Sequence, residues 1–186
     1  MKKLPTIDVT ICGLDELALH RQSGQTHVLS ITDPEWPELD EFDLWDPHDR
    51  LKLRFHDEID PHSHMEPPTS DHVARLLAFG RGLPVDEPVR LLVHCHAGIS
   101  RSTAAAILLL AQRDPSRDPH EIVTFVARHR PQAWPNLRMI EMGDRLLDRK
   151  GALVEAVRRR YREVVAARPD FAAEMRAKGR DREVDA

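Results

Sequence analysis

Residues 89–113 constrain the fold more than any other stretch of the sequence. Positions 89–94 (VRLLVH) are almost continuously apolar, and 102–113 (STAAAILLLAQR) are rich in Ala and Leu. A strand that is apolar on both faces needs cover on both faces, which is the environment of a parallel sheet. A helix following after one short loop supplies one of those covers. The strand–loop–helix unit therefore points to an α/β protein before anything else is considered.

The rest of the chain fits that frame. Positions 7–12 form a β-branched run ending at Gly13, and 27–31 form a second apolar run stopped by Asp33-Pro34. Leu51, Leu53 and Phe55 alternate with Lys52 and Arg54, the period of a half-buried strand. Residues 15–20 have room for one or two helical turns. Pro67, Pro68 and Ser70 introduce a helix with Val73, Leu76, Leu77 and Gly80 on one face. From residue 102 onward the pattern is helical. Asp118-Pro119 gives a cap and an N1 proline, and Asn136 can cap a helix through Leu146. Leu153, Val157, Tyr161, Val164 and Val165 form a further stripe, ended by Pro169. The expectation is a central, mostly parallel sheet of four to five strands flanked by helices, three layers deep, with a helical C-terminal half. A single domain over 1–168 is followed by a charged tail over 169–186, with the end of it left without structure.

Composition narrows the class. The chain has 186 residues, enough for one good core. Its two cysteines exclude a disulfide framework and the zinc modules built on four cysteines or on paired cysteines and histidines, and a reducing cytoplasm is the expected compartment. The longest apolar run, 104–111, is too short to cross a bilayer, and after Met1-Lys2-Lys3 the residues Pro5 and Asp8 break any signal-like segment. Net charge is −8 over 1–148 and +4 over 149–186. The basic end interleaves acids and lacks an aromatic platform, so neither nucleic acid nor membrane is expected as a partner. Residues 33–49 hold eight acids and neither Lys nor Arg, which reads as an acidic surface loop.

The chemistry concentrates in the loop of the opening unit, His94-Cys95-His96-Ala97-Gly98-Ile99-Ser100-Arg101-Ser102. A cysteine six residues before an arginine is weak by itself. The flanking His94, Gly98 and Ser102, and the position between strand and helix, make it specific. A short strand-to-helix loop can turn successive amides toward one tetrahedral anion, here those of His96, Ala97, Gly98, Ile99, Ser100 and Arg101. Gly98 permits a backbone conformation that a side chain opposes. The helix beginning near Arg101 adds its positive end, and the guanidinium offers two parallel donors that Lys lacks. Cys95, at the start of this ring of donors, is placed to react as a thiolate. Ser102 can donate to its sulfur, and His94 orients the loop.

This segment resembles the phosphate-binding loop of the cysteine-based protein tyrosine phosphatase superfamily, nearest its compact, dual-specificity-like branch found also in bacteria. The match falls on His94, Cys95, Arg101 and Ser102, and Pro135-Asn136 downstream also fits. The resemblance implies a phosphomonoesterase without metal or cofactor, acting through a cysteinyl-phosphate on phosphorylated protein or peptide. It also implies a general acid, an Asp on a loop after a strand some thirty to forty residues before the cysteine. Asp57, 38 residues before Cys95 at a strand end, is preferred; Glu58 and Asp60 are the alternatives. Asn136 either bonds the loop or the acid, or simply caps its helix.

Other readings explain less. His62-x-His64, His94-x-His96 and His56 allow a metal hydrolase but leave Gly98, Arg101 and Ser102 without a role. Cys12 reads as a small buried residue rather than a resolving thiol, against arsenate reduction. A phosphate-recognising module without turnover, or a phosphatase of a small-molecule phosphate, stays open. Trp36, Trp45 and Trp134 read as packing anchors, with Trp134 also a candidate for the rim of the site. Oligomeric state is not readable.

Overall fold

The computed structural model describes residues 7–186; Lys2, Lys3 and Pro5 lie outside the described residues. Four strands form one sheet: β1 (Ile7–Cys12), β2 (His27–Thr32), β3 (Asp49–Arg54) and β4 (Val89–His94). Their order is β1-β4-β2-β3, and every pairing is parallel. The strand that is apolar on both faces thus has a neighbour on either side and sits in the middle. Its register sets Cys12 opposite His94 on one side and Ser30 opposite His94 on the other. Three strands therefore end together where β4 runs into the loop beginning at Cys95. The crevice beyond the carboxyl ends of a parallel sheet is where such folds bind ligands.

The two faces carry unequal cover. On one, Leu29, Leu91 and Val93 join the main core beneath α2 (Ser70–Gly82), α3 (Arg101–Arg113), α4 (Pro119–His129), α5 (Leu137–Leu146) and α6 (Ala152–Ala167). On the other, Val28 and Leu92 meet Cys12 of β1, Leu17 of short α1 (Leu17–His20) and Phe42 from the turn after β2, with Leu14, Leu39 and Trp45 packed against them. The alternation of Val28 with Leu29 and of Leu91 with Leu92 is the period of two, buried on both sides. Helix α3 is the centre: every residue from Arg101 to Ala111 is buried. Its unbroken Ala-Leu composition has no polar stripe because no face of it meets water.

Local signals act as the residue types predict. Asp118 accepts from the amides of His120 (2.8 Å) and Glu121 (3.2 Å) with Pro119 at N1, and Asn136 accepts from Met139 N (3.0 Å). Helix α2 begins at Ser70 and is capped by Thr69.

The C-terminal end departs from expectation. The segment read as a charged tail folds into α7 (Pro169–Ala177) and α8 (Asp181–Val184), and Ala172, Met175 and Val184 enter the main core. Arg180 and Glu183 are buried with them. Helices this short have little periodicity, so interleaved charges hid the few apolar contacts that dock them.

Candidate active site

Residues 95–101 form a tight turn between β4 and α3. Gly98 takes φ +69°, and a Cβ there would lie 2.5 Å from the carbonyl carbon of Cys12. Both facts require glycine. The loop carbonyls are engaged from outside: His96 O by Leu14 N (2.8 Å), Ala97 O by Arg130 Nη2 (3.0 Å), Gly98 O by Arg130 Nε (3.0 Å), and Ile99 O by Trp134 N (3.0 Å). Ser100 O receives Ala104 N (3.0 Å) and Asn136 N (3.3 Å). With the carbonyls held outward, the amides of residues 96–101 are left for the concave side, and they find no protein acceptor among the described residues.

Arg130 is itself fixed by a two-pronged pair with Glu16 (2.7 and 2.5 Å), whose other bond is from Gly13 N (2.6 Å). Burial pushes the Glu16 carboxyl up, but the bond from Arg130 outweighs it and holds the group below its ordinary range. This clamp joins the loops after β1 and β4 to α4. Nothing in the local sequence marks Glu16 or Arg130, which lie 114 positions apart.

At the mouth of the turn, Cys95 Sγ and Ser102 Oγ are 3.2 Å apart and buried. His94 is fully buried, with Nε2 2.7 Å from Ser30 Oγ, and burial pushes its pKa down to about 3. It is a neutral brace between β4 and β2. Arg101 uses a single nitrogen on the protein: Nη1 donates to Asp33 Oδ1 and to Phe55 O, both at 2.6 Å. Nε and Nη2 meet no acceptor among the described residues, although the side chain is 5% exposed. The guanidinium is thus pinned by one corner, and its other edge presents two parallel donors. Asp33 was read only as part of an acidic surface loop; here it is the anchor of Arg101. Its amide also donates to His96 Nε2 (3.2 Å), which keeps that nitrogen unprotonated, and burial followed by Arg101 lowers the His96 pKa.

Asp57 follows β3, at the site, and is the acid of the three candidates that reaches the loop. Its Oδ1 accepts from Ser100 Oγ (2.7 Å) and Asn136 Nδ2 (2.8 Å), and Arg180 Nη1 lies 3.1 Å away. Asn136 therefore does both jobs left open for it: Oδ1 caps α5 while Nδ2 holds Asp57 and Glu58 O (3.2 Å). Asp60 instead accepts from His62 N in its own turn (2.8 Å). Burial pushes the Asp57 carboxyl up, but Arg180, then Arg101, with Asn136 and Ser100, hold it below the usual range.

The tryptophans exchange places with expectation. Trp134 is fully buried against Tyr161 and Phe171, so it is no part of the rim. Trp36 is 38% exposed and stands edge-on to the His96 ring at 4.3 Å, so it is the tryptophan beside the loop. Trp45 packs on Phe42. Cys12 is fully buried, its thiol pushed up to about 12 by burial and by Glu16, and stays a packing residue. Of the histidines considered as ligands, only His56 joins a potential donor set, with Asp33 and Glu35. Two of those three already serve elsewhere: Asp33 on Arg101, and His56 Nδ1 on Glu66 N (3.0 Å).

No helix among the described residues is long and apolar enough to cross a membrane. No family model matches the sequence, and no curated protein matches it. Solved structures do. The Yvh1 phosphatase domain from Chaetomium thermophilum is 24% identical, with a TM-score of 0.51 over 81% of this chain and 99% of that one. Human DUSP28 is 16% identical, with a TM-score of 0.54 over 81% and 99%. PTPMT1 in complex with PI(5)P is 14% identical, with a TM-score of 0.53 over 76% and 91%. The alignment spans nearly the whole of each domain and leaves about a fifth of this chain outside it. The chain has the fold of the cysteine-based protein tyrosine phosphatases.

Proposed function

We propose that the chain is a cysteine-dependent phosphomonoester hydrolase acting on phosphorylated protein, on phosphotyrosine or with dual specificity. The observation that carries this reading is the pairing of Cys95 and Ser102 with the unengaged Nε–Nη2 edge of Arg101 at one strand-to-helix turn. Three phosphoryl oxygens have matched donors there in the loop amides and the guanidinium. Charge that a metal would supply comes from Arg101 and the amino end of α3.

In the first step, Cys95 Sγ attacks phosphorus; the S–P bond forms as the P–O bond to the leaving group breaks. Asp57 gives its proton to the departing oxygen. In the second, water attacks the phosphocysteine, Asp57 takes the water's proton, and sulfur leaves as thiolate with the Ser102 hydroxyl beside it. Phosphate departs and the enzyme is restored.

A lipid or small-molecule phosphate is the second reading, because one structural neighbour holds PI(5)P. Against a highly phosphorylated inositide stands the loop interior 96–100, which carries no lysine. A panel of phosphotyrosine, phosphoserine and phosphothreonine peptides beside a phosphoinositide tests the choice, run with vanadate and with a chelator. Turnover of phosphotyrosine peptide that vanadate blocks and chelator spares is expected. Loss to chelator, or peptide binding by Cys95→Ser without any turnover by the parent chain, overturns the hydrolase reading.

A further inference from the structure

The C-terminal helices α7 and α8 bring a second arginine to the acid. Arg180, the residue before α8, is 6% exposed and contacts two separate parts of the site. Its Nη1 reaches Asp57 Oδ1 (3.1 Å) and Asp57 O (3.2 Å), and its Nη2 reaches Ser100 Oγ (3.1 Å). The guanidinium is held from behind by Glu183, through Nε–Oε2 and Nη2–Oε1, both 2.7 Å. Glu183 is fully buried and also accepts from Leu137 N (2.9 Å) and Trp134 Nε1, with the Tyr161 hydroxyl, which donates to Pro135 O, 3.5 Å from Oε1. Burial pushes the Glu183 carboxyl up, against the bonds from Arg180, Leu137 N and Trp134, and the two-pronged contact with Arg180 has the geometry of an ion pair. The Glu183 charge neutralises one arginine, while the same arginine faces Asp57.

A charge pair buried this deeply costs desolvation energy. The contact with Asp57 gives the pair a function. We propose that Arg180 is a positioning residue for the reaction, holding the Asp57 carboxylate against Ser100 and governing the acid–base step that Asp57 performs. The proposal rests on Asp57 being the general acid of a phosphatase, as argued above.

The groups facing Asp57 are few. Arg180 comes from the start of α8, Arg101 from α3, and His96 from the loop; Asn136 and Ser100 are uncharged donors, and Tyr161 of α6 and Glu183 stand behind Arg180. Arg101 also favours the ionised acid but uses its Nη1 on Asp33 and Phe55 O, whereas Arg180 contacts the Asp57 carboxylate directly. It favours the ionised form. That form is ready to take a proton from water in the second step and is reluctant to hold one for the first. Substrates whose leaving oxygen is already acidic, such as phenols, suffer least.

The test is the pH profile of kcat/KM on an aryl phosphate with a poor leaving group, where loss of the acid's proton sets the basic limb. Removing the cation raises the Asp57 pKa, so in Arg180→Gln the limb should move to higher pH by about 1–3 units. Arg180→Lys should restore it most of the way. Glu183 is left unpaired in the single variant and adds to the upward move, so Arg180→Gln/Glu183→Gln, which removes both charges, should move the limb in the same direction by less. A limb that Asp57→Asn abolishes but that stays put in both Gln variants overturns the role of Arg180 and leaves the acid assignment standing. A profile unchanged by Asp57→Asn overturns the acid assignment and this proposal together. Should the variants fail to fold, a ¹³C titration of the Asp57 carboxyl in the unaltered chain, followed together with the ¹⁵N resonances of the Arg180 guanidinium, decides: a midpoint below the ordinary aspartate value of about 3.9 that the Arg180 resonances share supports the proposal, and Arg180 resonances that do not move through the Asp57 midpoint overturn it.

Discussion

Gly98→Ala is the sharpest perturbation of the loop, because both its costs can be read from the backbone. The first is conformational. At φ +69° an alanine sits in the left-handed region, at roughly 1–2 kcal/mol. The second is steric. The new methyl would lie 2.5 Å from the Cys12 carbonyl carbon and 2.7 Å from its oxygen, whereas ordinary contact begins at 3.4 Å. Cys12 is the last residue of β1, paired in register with His94, so it does not yield. Arg130 also lies within 2.6 Å but is pinned by Glu16. The loop must therefore retreat by about 0.9 Å toward the side on which phosphate would sit. A 1 Å misplacement of catalytic groups costs about 10²-fold in rate. We expect kcat/KM for an aryl phosphate to fall about 100-fold, inhibition by vanadate to weaken in parallel, and the melting temperature to drop by about 2–8 °C. A variant with kcat/KM within threefold of the parent and an unchanged melting temperature would refute the reasoning, since the loop would then not need its glycine.

Further outcomes are expected at neighbouring residues. Cys95→Ser should abolish turnover of an aryl phosphate while keeping phosphate affinity, measured by calorimetry; retained turnover would remove Cys95 from the chemistry. Asp33→Asn takes the charged partner from Arg101, and loss of one charge-assisted bond at a partly exposed site should lower kcat/KM about tenfold. An unchanged rate would mean Phe55 O alone holds the guanidinium. Glu16 has a depressed pKa in the fold, so its contribution to stability is full above the unfolded carboxyl value of about 4.3 and is lost as pH falls through the lower folded value. Urea midpoints from pH 6 to pH 3 should therefore fall more steeply for the parent than for Glu16→Gln; parallel slopes would contradict the clamp.

What could be read in advance was contiguous or periodic. The loop chemistry lies within nine consecutive residues, and burial of β4 on both faces shows in its composition. Asp57 was singled out because the family resemblance implies an acid after a strand some thirty to forty residues before the cysteine, and Asn136 because it precedes a helix. The clamps were not reachable. Asp33 meets Arg101 across 68 positions, Glu16 meets Arg130 across 114, and Asp57 meets Arg180 across 123. In a chain where 31% of residues are charged, no local pattern separates a buried ion pair from a solvated one. The same blindness turned 169–186 into a tail. An acid such as Glu183, inside a four-residue helix with no repeat to reveal its inner face, looks like its exposed neighbours. Trp134 misled for a different reason: its place beside Pro135-Asn136 suggested the rim, but the ring turns inward onto Tyr161.

The burial of α3 on every side also bears on how such a chain can diverge. A helix with no solvent face admits few substitutions, because shortening any of Ile107, Leu108 or Leu109 opens a cavity worth about 2–5 kcal/mol against a margin of about 5–15. The amino end of that helix is also the floor of the site, so the chemistry is tied to the least mutable part of the molecule. Change in what the chain accepts is left to the margins, the segments 33–48 and 57–69. These carry Trp36, Asp33 and Asp57, pack against the loop from outside, and have surface to spare. The interior fixes Cys95 and Arg101, and what is free to drift at the edge is the surface around Asp33 and Asp57 rather than those two residues.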